Sequence, residues 1–166
     1  RLLQPETVAL IADRLRPEYG QALARLKALG IEASILSGDN AAAVAEVART
    51  TGLFARSSVS PAEKLDAIAT ARRGGHRVLM AGDGLNDGPA LAAADASIAP
   101  GSASDVGRQA ADLVFLGDSL LALPRAVAAS RRTMRVVRQN FVLAIGYNLL
   151  AVPLAHDPEV GAAAPG

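Results

Sequence analysis

Cysteine is absent from this 166-residue chain, which excludes disulfide bonds, thiolate metal ligands and cysteine nucleophiles within it. Aromatic residues make up only 3% of the sequence and are not interleaved with basic ones, so no nucleic-acid-binding surface is expected. The most continuous apolar run, residues 141–155, is shorter than the roughly 20 residues that span a bilayer. The length fits one ordinary domain with a short appendage.

Charge is unevenly distributed along the chain, although the net charge is only +1. Residues 1–118 carry 12 Lys or Arg against 14 Asp or Glu, whereas residues 119–138 hold five arginines and no acidic residue. These arginines directly precede the apolar run, an order typical of a cytoplasmic approach to a membrane span. A soluble amphipathic helix followed by a buried one would show the same pattern, so hydropathy alone leaves both interpretations open.

Apolar strand patterns alternate with helical ones over residues 7–116. The first two helical segments, 17–29 and 41–51, are each long enough for a crossover, and this alternation predicts an α/β fold with a parallel sheet covered on both faces. We predict an α/β region over 1–118, an arginine-rich helix over 119–138, an apolar helix over 139–155 and a tail over 156–166. The predicted strands are 7–12, 31–36, 77–81, 96–99 and 113–116, and the predicted helices are 17–29, 41–51, 61–73, 89–94 and 102–110.

The most informative stretch follows the strand at 77–81 and reads Gly82-Asp83-Gly84-Leu85-Asn86-Asp87-Gly88. In a parallel sheet, ligands bind just beyond the carboxyl ends of strands, and both carboxylates lie there. They could share one Mg²⁺, which prefers oxygen ligands and keeps waters that a phosphate can replace. Two alternatives are an ordinary helix N-cap at Asp87 and, more weakly, a dinucleotide-binding loop.

Two other strands are also predicted to end in polar loops at the same edge of the sheet, at Asp13 and at residues 37–40. Ser37 offers a hydroxyl and Gly38 a backbone N–H to a phosphoryl oxygen, next to a helix N-terminus. Lys64 is the natural positive charge for a phosphate, although a solvated helix lysine is the ordinary alternative. Asp39 could equally be part of a helix cap. No aspartate stands in a recognisable acceptor sequence for phosphoryl transfer.

Several of these segments resemble P-type ATPases, whose phosphorylation domain has the haloacid dehalogenase (HAD) fold. Residues 82–91 are similar to the family motif G-D-G-x-N-D-x-P-A-L, Ser37-Gly38-Asp39 to T-G-D, and residues 13–18 to D-x-x-R-P. Lys64 falls where the family has its phosphate-contacting lysine. Residues 138–153 resemble the membrane helix that follows this domain in the heavy-metal class, above all in copper exporters.

The resemblance implies an incomplete, Rossmann-like HAD domain over residues 1–118, followed by a long helix and a transmembrane-like helix over 139–155. It implies part of an enzyme that hydrolyses ATP, phosphorylates its own aspartate and transports a soft metal cation, with copper as the expected cargo. The implied cofactors are Mg²⁺ and ATP. The implied residues are Asp83 and Asp87 for Mg²⁺, Ser37, Gly38, Asp39, Lys64 and Asn86 for phosphoryl transfer, and Tyr147 and Asn148 for the transported ion.

The implied setting is the cell membrane, with residues 1–138 on the cytoplasmic side. The expected partners are a nucleotide-binding domain, which would hold most of the ATP, and further membrane helices of the same ATPase. The family's D-K-T-G-T motif, which contains the phosphorylated aspartate, does not occur in this sequence, so the chain alone is expected to be inactive. Two alternatives stay open: a soluble Mg²⁺-dependent phosphatase of the HAD superfamily, and a non-enzymatic, membrane-tethered remnant that binds Mg²⁺.

Overall fold

The computed structural model describes the backbone of residues 6–10, 18–84, 86–117 and 119–155, and the side chains of 18–84, 86–117 and 119–152. Asp13, most of the 13–18 segment, the predicted strand residues 11–12 and the tail 156–166 lie outside these ranges. The chain divides into two compact units, Arg1–Arg125 and Ala126–Gly166.

The described strands of the first unit form one parallel sheet, ordered β3-β2-β1-β4-β5-β6. This confirms the predicted parallel α/β fold. From β1 the chain moves outward to β2 and β3, then returns to the other side of β1 for β4, β5 and β6. Such a reversal opens a crevice beyond the carboxyl ends of the central strands. The strands are β1 (Glu6–Leu10), β2 (Ile31–Leu36), β3 (Phe54–Arg56), β4 (Arg77–Ala81), β5 (Ala96–Pro100) and β6 (Leu113–Phe115).

Helices follow the strands as predicted, and their ends have local causes. The Asn40 side chain accepts the Ala43 N–H at 3.0 Å and begins α2, which closes at Gly52 with φ of 69°. The predicted bounds of α2 and α3 are confirmed. The helices of the first unit are α1 (Tyr19–Ala28), α2 (Ala41–Thr51), α3 (Pro61–Arg73), α4 (Gly88–Ala93) and α5 (Asp105–Ala110).

One apolar cluster lies between the sheet and the helices α3 and α4. Met80 of β4 and Leu91 of α4 are its most buried members, at 0% and 1% exposure. Burying a side chain of this size contributes about 1.5–3 kcal/mol. The cluster therefore fixes the two elements that flank residues 82–87. Its buried members are Leu36, Ile68, Val78, Met80, Ala90 and Leu91.

Two aspartates fix the register at the amino ends of the strands. The Asp95 carboxylate accepts the Val78 N–H at 2.9 Å, and the Asp112 carboxylate accepts the Ser97 N–H at 2.8 Å and the Ser97 hydroxyl at 3.0 Å. These side chains satisfy donors that the sheet ladder leaves unpaired, which stabilises strand alignment. These two acidic residues therefore have a structural role.

The arginine-rich and apolar segments form one continuous helix, α6 (Ala122–Ala155), with no boundary near residue 138. Its described residues from 126 onward make up the second unit. None of the helices in the described residues is long and apolar enough to cross a membrane. The expectation of a transmembrane helix over 139–155 is therefore not supported. At 1.5 Å per residue the segment is about 25 Å long, short of a hydrocarbon core of about 30 Å, and Asn140 and Asn148 interrupt its apolar character.

Candidate active site

Seven predicted site residues line one cleft of about 900 Å³ in the first unit. The cleft lies beyond the carboxyl ends of β2 and β4, the strands on either side of β1, as parallel topology requires. The structure thus brings these side chains together, whereas their roles stay a prediction. They are Ser37, Gly38, Asp39, Lys64, Asp83, Asn86 and Asp87.

The loop after β2 is held on both sides by β3 and the segment that follows it. The Ser37 N–H donates to the Arg56 carbonyl at 3.0 Å, and the Ser37 carbonyl accepts the Val59 N–H at 2.9 Å. The Ser37 side chain is buried at 4% exposure, and its hydroxyl donates to the Asp39 carboxylate at 2.9 Å. The expected phosphate donor is therefore oriented by Asp39. To donate to a phosphoryl oxygen, its hydroxyl has to rotate away from that carboxylate.

Lys64 lies in the first turn of α3, and this helix begins with the predicted capping box. The Ser60 hydroxyl accepts the Glu63 N–H at 3.3 Å, and the Glu63 carboxylate accepts the Ser60 N–H at 2.8 Å. Pro61 occupies the first helical position, where its missing N–H costs nothing. These contacts fix the direction in which the helix leaves the loop, and hence where Lys64 projects.

Hydrogen bonds from the Ser60 backbone and then from its hydroxyl lower the pKa of Glu63 below its ordinary value of 4.5. A carboxyl whose folded pKa is depressed stabilises the fold above the ordinary pKa. That contribution is lost as the pH falls through the lowered value. The capping box is therefore intact at neutral pH and weakens only in acid.

Lys64 is not a solvated surface lysine, as the ordinary alternative would require. It is 4% exposed, and its ammonium donates to the Asp87 carboxylate at 2.6 Å, while Asp87 is 3% exposed. Two charges removed from water in this way depend on each other, because either one alone would be buried without compensation. The cleft is therefore lined by a buried ion pair.

The Asp87 carboxylate does not cap a helix. Asp87 stands at the N-cap position of α4, but its side chain makes no capping hydrogen bond. Instead, the carboxylate lies against the backbone of Gly82, where an added Cβ would be 3.1 Å from Asp87 Oδ2. The alternative of an ordinary N-cap is therefore wrong, and the carboxylate faces the cleft and Lys64.

Asp83 and Asn86 are exposed members of the same loop. The backbone of Asp83 is well anchored: its carbonyl accepts the Ser104 N–H at 3.0 Å and the Ser104 hydroxyl at 3.3 Å. Gly84 follows with φ of +79°, a conformation that glycine adopts without strain. The exposed carboxylate of Asp83 is thus carried by a fixed peptide unit.

Sequence reasoning missed two residues that support this loop, Ser104 at the N-cap of α5 and Gly107 within α5. Gly107 is buried, and a Cβ added to it would lie 2.4 Å from the Asp83 carbonyl oxygen. A glycine in the interior of a predicted helix, at 102–110, was the available signal, because it often marks a close backbone approach.

Tyr147 and Asn148 belong to the second unit. Tyr147 is 70% exposed, and the Asn148 amide donates to the Ala144 carbonyl of its own helix at 2.9 Å. Their assignment to an ion path stays a prediction.

The donor chemistry of the cleft fits Mg²⁺. Asp83 and Asp87 bring carboxylate oxygens to the cleft. Gly82 has no side chain, and this leaves space beside the Asp87 carboxylate that a Cβ would occupy. Within the described residues, no three His, Cys, Asp or Glu side chains are grouped as a metal site. Two carboxylates are nevertheless the usual protein contribution to Mg²⁺ at phosphoryl-transfer sites, where waters and phosphate complete the octahedron.

The comparisons with known proteins agree with this geometry. A family model described as haloacid dehalogenase-like hydrolase matches residues 1–95. The nitrogen fixation protein FixI of Rhizobium leguminosarum bv. viciae is 52% identical over 144 residues, which are 86% of this chain and 19% of that protein. The copper-exporting P-type ATPase of Staphylococcus aureus (strain JH9) is 38% identical over 149 residues, 89% of this chain and 19% of that protein.

Among solved structures, a zinc-transporting PIB-type ATPase in the E2.Pi state superposes with a TM-score of 0.82. The sequence identity is 34%, and the match covers 86% of this chain and 24% of the chain of that ATPase. The chain therefore belongs to the haloacid dehalogenase-like hydrolase family. Within that family it corresponds in sequence and fold to a segment of heavy-metal P-type ATPases. It spans about a fifth of the length of the curated relatives it matches.

Proposed function

We propose that this chain supplies the Mg²⁺- and phosphate-binding loops of an aspartyl-phosphate site in an ATP-driven heavy-metal cation transporter. The observation that carries the proposal is the buried Lys64–Asp87 ion pair in the cleft that Ser37 and Asp83 also line. A buried positive charge beside two carboxylates at strand ends suits a dianionic phosphoryl group and a divalent cation. It does not suit simple packing.

Each residue has a distinct task in this proposal. The Lys64 ammonium has three N–H donors and uses one on Asp87, so it can neutralise phosphoryl oxygens without leaving its partner. Ser37 donates its hydroxyl to a second oxygen once it turns from Asp39, and Asn86, exposed at the rim, offers an amide. Gly38 lets the phosphoryl group approach the loop closely, because no side chain stands in the way.

The carboxylates of Asp83 and Asp87 would hold Mg²⁺. The ion would supply positive charge that neutralises the phosphoryl oxygens. We further propose that the phosphorylated aspartate and most of the ATP site come from other parts of the whole protein, because D-K-T-G-T does not occur in this sequence.

We propose that the transported ion is a soft metal cation, with copper favoured. Support comes from the Staphylococcus aureus relative, which is a copper-exporting P-type ATPase. We also propose that residues 139–155 meet the membrane in the whole protein, with Tyr147 and Asn148 on the ion path. The supporting observation is that apolar side chains of this segment are exposed, Leu143 at 73% and Leu149 at 70%. The arginines that precede them fit a cytoplasmic side for residues 1–138.

A chimera tests the proposal. The matching segment of the Staphylococcus aureus copper-exporting ATPase is replaced by this chain, and copper-stimulated ATP hydrolysis and hydroxylamine-sensitive phosphoenzyme are measured in vesicles. We expect the chimera to form phosphoenzyme. Lys64→Met in the chimera should lower turnover about 100- to 1000-fold, the usual effect of removing one transition-state donor.

Lys27→Met, which removes an exposed lysine of α1, is the matched control and should leave turnover unchanged. Undiminished turnover in the Lys64→Met chimera would contradict the proposed role of the cleft. Hydrolysis of p-nitrophenyl phosphate by the isolated chain would instead favour the soluble phosphatase.

A further inference from the structure

The short helix α5 is attached to the backbone of the proposed metal loop. The Ser104 N–H and the Ser104 hydroxyl both donate to the Asp83 carbonyl, at 3.0 and 3.3 Å. The same hydroxyl accepts the Gly107 N–H at 3.1 Å and so caps α5. One serine therefore joins the start of this helix to the peptide unit that carries Asp83.

Steric contact supports the same attachment. A Cβ added to Gly107 would lie 2.4 Å from the Asp83 carbonyl oxygen and 2.7 Å from the Gly84 Cα. A Cβ added to Gly84 would lie 2.0 Å from the Gly107 Cα. The two backbones touch directly, so the distance between α5 and the loop is fixed by main-chain atoms.

We propose that Ser104 is a positioning residue that sets the orientation of the Asp83 carboxylate toward Mg²⁺. This inference rests on the proposed function, because it assigns the support of the same metal site. Asp83 is exposed and stands between Gly82 and Gly84, whose backbones are the most permissive in proteins. Ser104 holds the Asp83 carbonyl with two hydrogen bonds and so restrains the peptide unit from which the carboxylate projects.

The test measures the dissociation constant for Mg²⁺ of the full 166-residue chain by calorimetry, in the presence of inorganic phosphate. Ser104→Ala removes the hydroxyl bond to the Asp83 carbonyl and leaves the N–H bond in place. It should weaken Mg²⁺ binding about 10-fold, the lower end of the effect of losing outer-shell support. Ser104→Thr keeps the hydroxyl and should stay within about twofold of the parent chain. Ser104→Gly also removes the hydroxyl but keeps a residue that caps helices well, so it should bind weakly while remaining folded.

Ser97→Ala is the matched control. Ser97 is a buried serine whose hydroxyl bonds to Asp112 and Ala110 are lost on substitution, while its backbone N–H bond to the Asp112 carboxylate remains. Its hydroxyl bonds go to these two residues, away from residues 82–87. It should lower the free energy of unfolding without changing the affinity for Mg²⁺.

Equal Mg²⁺ affinity in the parent chain, Ser104→Ala and Ser104→Gly would overturn the inference while leaving the proposed function standing. An equal loss in Ser97→Ala would also overturn it, because the effect would then be general destabilisation. Failure of the parent chain itself to bind Mg²⁺ would overturn the proposed function and the inference together.

Discussion

Asp87→Asn should destabilise the first unit by about 3–5 kcal/mol, because it leaves the Lys64 ammonium buried without a counter-charge. The two side chains are 5% and 4% exposed and lie 2.6 Å apart, so water cannot replace the missing carboxylate. The loss of stability should fall toward the lower end of this range, because the carboxamide oxygen of the new asparagine can still accept a hydrogen bond from the Lys64 ammonium. Urea unfolding followed by circular dichroism at pH 7 measures the difference.

Asp66→Asn is the matched control, because Asp66 forms an ion pair with Arg73 that is 3.7 Å long and largely exposed. Its loss should cost under about 1 kcal/mol. The double variant Lys64→Met with Asp87→Leu should recover most of the stability, since an apolar pair removes both buried charges. A loss under about 1 kcal/mol for Asp87→Asn would mean that the pair is hydrated, and the description of the cleft would be wrong.

Gly84→Ala should lower the free energy of unfolding by about 2–5 kcal/mol, which is comparable to the loss of the ion pair. Two costs combine. Gly84 has φ of +79°, a region that costs other residues about 1–2 kcal/mol. The new Cβ would also lie 2.0 Å from the Gly107 Cα, and inserting carbon into a packed site typically costs a further 1–3 kcal/mol. The same unfolding measurement applies.

Gly52→Ala separates the two costs. Gly52 has φ of +69° but nothing within 4 Å of an added Cβ, so it should show the backbone cost alone, about 1–2 kcal/mol. If both alanine variants lost the same stability, the close approach of α5 to the loop would not exist as described.

Much of the fold could be predicted from local sequence. β2, α2, α3 and β4 begin and end at the predicted residues, because apolar periodicity and strong terminal signals agree there. The convergence of the polar loops at 37–40 and 82–87 followed from parallel topology alone, since the carboxyl ends of parallel strands share one edge of a sheet.

The details of the site depend on tertiary contacts that a single sequence does not encode locally. The sequence identified Lys64 and Asp87 as separate phosphate and metal groups, whereas the structure pairs them directly at 2.6 Å. The support of Asp83 by Ser104 was missed, because these two residues are 21 positions apart in the sequence. Their contact also depends on the close approach of the Gly84 and Gly107 backbones. Such a contact has no periodicity to reveal it.

The prediction for the C-terminal segments is wrong for a local reason. The change of composition near residue 138 predicts two helices, one arginine-rich and one apolar. No proline or glycine lies between Arg125 and Ala144, so nothing interrupts the backbone hydrogen bonds, and α6 continues through the change. A change of composition alone therefore does not end a helix.

The central claim is that loops at the ends of β2 and β4, together with Lys64, surround one divalent-cation and phosphate site. Mn²⁺, which accepts the same oxygen ligands as Mg²⁺, tests it directly by paramagnetic broadening of amide signals in the isotopically labelled chain. At low Mn²⁺ and in the presence of phosphate, signals of residues 82–84 and 86–88 should broaden first, followed by 37–39. Addition of excess Mg²⁺ should restore them. Earlier broadening around exposed acidic residues that do not line the cleft, such as Glu32 and Glu46, would contradict the account.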